Sequence, residues 1–98
     1  MGMQETVIEI LKGIQDPEIL IDVWTLGLIY DLKVDEPKGD VLITMTFTTP
    51  ACPYGEILVE EIKQKVSEVK GLKHLKIDVV FSPPWQPSDD IKAMLGMG

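Results

Sequence analysis

One thiol is available for chemistry in this chain. It belongs to Cys52, inside the stretch TTPACPYGE that runs from Thr48 to Glu56. A thiolate attacks electrophiles and ligates soft metals, and a cysteine reaches that form most readily beside a positive charge or a helix N-terminus. A strand-like pattern ends near Thr48, and a helical pattern begins near Pro53 or Tyr54. Pro53 suits the first helical position, where its missing N–H is one the helix leaves unpaired anyway. Cys52 is therefore expected at or next to the N-cap, its sulfur facing free backbone N–H groups and the positive end of the helix dipole. Pro50 and Pro53 would fix the approach and Gly55 would leave backbone accessible, whereas the carboxylate of Glu56 opposes a second negative charge. A plainer reading also fits: a small buried hydrophobe at a strand–helix junction. No CxxC accompanies the cysteine, so one chain offers one of the four thiolates of a self-contained iron–sulfur or zinc site. Two chains together offer two.

Other groups with chemical potential fall in two stretches. DPEILIDVWTLGLIY carries Asp16, Glu18 and Asp22. Taken alone, Asp16 reads as a turn residue whose carboxylate bonds nearby backbone N–H groups. The three carboxylates together would line a cleft as oxygen ligands or partner contacts. Gly27 in the same stretch reads as a place where another backbone approaches closely. SPPWQP is a stiff extended segment carrying Trp85, which either closes the edge of the core or forms the rim of the cysteine pocket or an interface. His74, the single histidine, is expected at the surface and not as a ligand. No glycine-rich phosphate loop, histidine pair of metal-binding spacing or dinucleotide fingerprint is present, and no histidine is placed by the sequence to activate the thiol.

Six elements would have to position these groups. Val7, Ile10, Leu11 and Ile14 share one face of a helix, with Thr6 and Glu9 at capping-box spacing and Pro17 as its stop. Strands follow in LIYDLKV, VLITMTFT and LKIDVVF, each with one apolar face at period two, and DEPKGD joins the first two as a hairpin loop. A long helix over about Tyr54–Lys70 buries Val59, Ile62, Val66 and Val69 and is capped by Gly71. Ser88 caps a short last helix running through Leu95, and Gly96 stops it. The order α-β-β-α-β-α predicts an α+β fold: a three-stranded mixed sheet with helices packed on one face.

Composition narrows the classes further. Ninety-eight residues, 45% hydrophobic and 26% charged, suit one globular domain spanning 1–98. A net charge of −7 argues against a nucleic-acid partner. No apolar run reaches the ~18 residues of a membrane span, and the first residues lack the pattern of an export signal. A lone cysteine asks for no oxidising compartment, so a cytoplasmic setting is expected.

With DPE, DVWTLGLIYDL, MTFTTPACPYGE and FSPPWQP in this order, the chain resembles the SufT/PaaD/MIP-type family of iron–sulfur cluster assembly-associated domains. The resemblance covers about Glu5 to Gly96. It implies an α/β domain related to iron–sulfur assembly scaffolds, with Cys52 as the family's characteristic thiol. The site it implies draws on Asp16, Glu18, Asp22, Thr48, Thr49, Pro50, Pro53 and Trp85. The extra cysteines of the phenylacetate-pathway members are missing, which points away from oxygenase assembly. The expected role is a non-catalytic accessory factor that helps clusters reach client proteins. It would hold no permanent cofactor, with Cys52 transiently ligating iron or an iron–sulfur cluster or meeting a client cysteine. Expected partners are the assembly machinery or client apoproteins, with a homodimer as one arrangement. The rival expectations are an adaptor with an incidental thiol and a thiol-dependent redox or transfer enzyme.

Overall fold

The structure is a computed structural model that describes residues 2–16, 19–48, 54–94 and 96. Its elements follow the expected order: α1 Met3–Lys12, β1 Ile29–Asp35, β2 Asp40–Met45, α2 Gly55–Val66, β3 His74–Val79 and α3 Asp89–Met94. β2 is central, antiparallel to β1 across the hairpin and parallel to β3 through the α2 crossover. The sheet is mixed because only a connection as long as a helix can return the chain parallel to itself.

Pairing places the apolar sets on one face. Ile43 sits between Leu32 and Ile77, and Val41 between Val34 and Leu75. Val41, Ile43 and Met45 are buried there with Val7, Leu11 and Ile14 from α1 and just beyond it, and with Leu58, Ile62 and Val66 from α2. The other face carries Asp31, Lys33, Thr44, Lys76 and Asp78, the polar half of each alternation.

Boundaries differ from the sequence expectations in instructive ways. α1 starts at Met3, ahead of Thr6. The Gly2 N–H donates to the Glu5 carboxylate at 2.9 Å, and the Met3 N–H donates to Glu36 of the hairpin at 2.6 Å. Thr6 instead donates its hydroxyl to the Gly2 carbonyl from within the first turn. The helix ends at Lys12 with Gly13 as its cap, four residues before Pro17, which lies outside the described residues. α2 ends at Val66 and is continued by tight turns to Gly71 (φ +91°), so that glycine closes the trailing turn and not the helix itself. The sequence pattern also overlooked Leu58, which is buried, while Val59 is only half-buried. Ser88 caps α3 as expected, its hydroxyl accepting the Ile91 N–H at 3.2 Å; Leu95 lies outside the described residues.

Candidate functional site

The cysteine loop leaves the sheet after β2. Beyond Met45, the Thr46 N–H still donates to the Leu28 carbonyl at 2.9 Å, and Thr46 is buried. Phe47 and half-buried Thr48 follow, and the chain is described again from Tyr54. Cys52, Thr49, Pro50 and Pro53 lie outside the described residues. The helix boundary nevertheless corrects the expected cap. Tyr54 is the N-cap of α2 and Gly55 its first residue, so Pro53 is not the first helical position, and Cys52 precedes the cap by two residues in the chain. The first intrahelical bond runs from the Leu58 N–H to the Tyr54 carbonyl at 3.0 Å. Ahead of it the N–H groups of Gly55, Glu56 and Ile57 belong to the unpaired first turn.

The two ends of this loop are held together by aromatic packing. A Cβ on Gly55 would stand 2.5 Å from Cε2 of Phe47, closer than real Cβ contacts come. Phe47 in turn meets Phe81, just past β3, edge to face with ring centroids 6.0 Å apart and planes at 61°. Gly55 is therefore buried beneath an aromatic ring, which corrects the expectation that it leaves backbone accessible.

The carboxylate stretch forms a tight reversal in which Gln15 and Asp22 bridge antiparallel. The Asp16 N–H donates to the Ile21 carbonyl, and the Leu20 N–H donates to the Asp16 carbonyl. Buried Asp16 accepts the Ile19 N–H on its carboxylate at 3.1 Å, as its turn reading required. Asp22 accepts the Thr25 N–H at 2.9 Å. Glu18 lies outside the described residues. Asp16 and Asp22 do share a depression of about 710 Å³, with Leu20, Glu61 and Met94 among its other walls. Thr48 and Trp85 do not line it, so the described part of the expected pocket divides into separate places.

Trp85 stands against the core edge. Its indole Nε1–H donates to the Leu26 carbonyl at 2.7 Å, and its half-buried ring packs on the core cluster. Tyr30 donates its hydroxyl to the Pro83 carbonyl at 2.7 Å. Tyr30 can turn that way because β1 carries a bulge between Ile29 and Asp31, which sequence alternation alone did not reveal. Two of the sequence motifs, DVWTLGLIY and SPPW, are thus bonded to each other. Trp24, half-buried, packs against the same core. Gly27 has open space where a Cβ would stand and a φ of +79°, so a left-handed turn conformation, not close backbone approach, accounts for it.

His74 is exposed, with its Nδ1 2.9 Å from the Asp40 carboxylate. It begins β3 opposite the first residue of β2, whereas the cysteine loop leaves from the other end of β2. Six residues of strand separate the two ends by roughly 20 Å. Among the described residues no three His, Cys, Asp or Glu side chains gather in a way that could hold a metal ion. Among the same residues no helix is long and apolar enough to cross a membrane.

Comparison with known proteins gives this geometry a context. A family model described as iron–sulfur cluster assembly protein matches residues 4–79. An Fe–S protein maturation auxiliary factor of Porphyromonas gingivalis is 41% identical over 96 residues, spanning 97% of this chain and 90% of that protein. The Fe–S protein maturation auxiliary factor YitW of Bacillus subtilis is 36% identical over 84 residues, 86% of this chain and 81% of that protein. A crystal structure of a domain of unknown function, DUF59, from Bacillus anthracis superposes with a TM-score of 0.84. It is 31% identical in sequence, over 98% of this chain and 93% of that one.

Proposed function

The chain belongs to the iron–sulfur cluster assembly protein family, and we propose that it is an accessory factor that helps iron–sulfur clusters form on or reach client proteins. The observation that carries this reading is the near full-length match to a maturation auxiliary factor, at 41% identity. Within that role Cys52 is the working thiol. It meets iron, a cluster or a client cysteine as cargo in passage, because one thiolate per chain fills only one coordination position of an iron–sulfur site. The remaining positions would come from the client, from a small thiol or from Cys52 of a second copy in a homodimer. The partners are assembly proteins and client apoproteins in the cytoplasm, where a lone thiol stays reduced.

A binding role without turnover is supported by the placement of His74. The imidazole stands at the end of the sheet away from the described flanks of the cysteine loop, unlike the adjoining thiol–imidazole pair of a cysteine enzyme.

Cys52→Ser is the decisive variant. Expressed in a bacterial strain deleted for its own family member, wild type restores the activity of a [4Fe–4S] enzyme, and Cys52→Ser restores less than a tenth of that gain. Anaerobic reconstitution with iron and sulfide then separates the modes. A Cys52-dependent chromophore assigns cluster carriage, and a client defect without one assigns contact with the client cysteine. Full restoration by Cys52→Ser would leave only an adaptor with an incidental thiol.

A further inference from the structure

We infer that the outer edge of α2, with the depression beside it, is a docking surface for a partner-protein segment that presents lysine or arginine among apolar side chains. Identifying that partner as a client or assembly protein rests on the maturation reading; the surface itself rests on exposure, backbone geometry and charge.

Among the described residues five large apolar side chains are substantially exposed, and two of them line a depression with Glu61 while a third lies one helical turn from it. Leu20 (69% exposed) and Met94 (62%) line the same depression as Glu61. Ile57 (63%) lies four residues before Glu61 on α2, one turn away on the same helix face. Tyr54, the N-cap, precedes Ile57 by three. Tyr54, Ile57 and Glu61 thus share one helix face, and that face leads from the N-cap of α2 to the depression of the carboxylate turn. Leu20 adds an independent sign. It is the one described non-glycine residue with positive φ, +64°, a conformation that a bulky L-residue rarely adopts and that glycine or asparagine would enter more easily. The turn thus carries backbone strain while its apolar side chain is held in water, an arrangement found where a segment serves binding.

Charge selects the occupant. Among the described residues, the carboxylates of Asp22 and Glu61 line the depression above buried Asp16, against the one ammonium of Lys12, which already faces Glu9 at 3.8 Å. Lys65 holds Glu61 at 2.9 Å in an exposed i,i+4 pair, the kind of pair that contributes little and that a partner's cation can replace. A second copy of this chain would bring the same carboxylates towards each other across a two-fold axis. A basic segment meets them favourably, its apolar side chains anchoring on Leu20, Ile57 and Met94 while its cations set orientation.

The probe is a synthetic 14-residue helical peptide with leucine at i, i+3, i+4 and i+7 and lysine or arginine elsewhere, titrated into the ¹⁵N-labelled full chain. Its charge-inverted counterpart carries glutamate in place of each cation. Amide shifts are expected over Leu20–Thr25, Ile57–Lys65 and Ala93–Met94, with at least tenfold weaker binding of the charge-inverted peptide. Ile57→Ser with Glu61→Lys should weaken the basic peptide at least tenfold while leaving the melting temperature within a few degrees. Shifts centred on the open face of the sheet, equal affinity for both peptides, or self-association abolished by Ile57→Ser would each overturn the inference. In the deletion strain, wild type restores the cluster enzyme and the double variant does not. Restoration by both overturns the docking surface. Failure of wild type itself removes the maturation reading, and the peptide titration then decides the surface alone.

Discussion

Ile57 and Leu58 are neighbours in α2, yet one is 63% exposed and the other 1%. They mark the two flanks of the helix. Leu58 belongs to the stripe Gly55, Leu58, Ile62 and Val66 that faces the core. Beside that stripe, the Phe47 ring covers Gly55 and meets Phe81 edge to face, so this flank is held by packing within the chain. On the outer flank Ile57 stands outside the core cluster of the described residues, and Glu61, one turn further on, lines a depression with Asp22 and exposed Met94. One flank of the helix that follows the cysteine therefore serves folding, and the other is left for another molecule.

The contrast is most exposed to test at Leu58. Truncation to alanine removes buried methyl groups and leaves a cavity beside Ile62, at a cost of about 2–5 kcal/mol. For a chain of this size each kcal/mol lowers the melting temperature by about 4–8 °C. Calorimetry of Leu58→Ala should therefore show a large drop, or no cooperative transition at all. A loss as small as that of a surface substitution would mean that the inner flank is misassigned.

Gly55→Ala is the next largest effect. Alanine is the better helix former by up to ~1 kcal/mol, but its Cβ would have to displace the Phe47 ring from 2.5 Å. Overpacking of this kind costs about 1–3 kcal/mol, so a net destabilisation of roughly 1 kcal/mol is expected. Phe47→Leu in the same chain should recover part of it, because the two sites are in contact and their effects cannot add independently. Strict additivity in that double-mutant cycle would show that the ring does not rest on the glycine.

Periodicity carried the architecture. Val41, Ile43 and Met45 alternate, and because their partners in β1 and β3 alternate too, register and core face followed from the pattern. Asp16 was legible as a turn residue because an aspartate bonds locally, within a few positions of itself. Long-range relations were not. Trp85 bonds to Leu26 across 59 positions and Tyr30 to Pro83 across 53; no local preference encodes either. Gly55 reads as open backbone until Phe47 is seen against it. The start of α2 reads near Pro53 or Tyr54, because proline prefers the first helical position, whereas Tyr54 is the N-cap and the helix begins at Gly55. Leu20 left no signal at all, since an apolar ILI run after DPE looks like core and its exposure arises only from the reversal around Asp16 and Asp22.

The smallest expected effect is the one that sharpens the contrast most. Ile57→Ser exchanges residues of nearly equal helix propensity at a position that buries little surface, so stability should change by no more than about 0.5 kcal/mol. A melting temperature shifted by less than ~4 °C would match that expectation. A shift as large as that of Leu58→Ala would place Ile57 in the fold's own packing and remove the outer flank as a free surface. The same variant is expected to lose client maturation in the deletion strain. A side chain that scarcely matters to folding and matters to the client acts through contact with another protein, because among the described residues Ile57 belongs neither to the core cluster nor to the half-buried side chains packed on it.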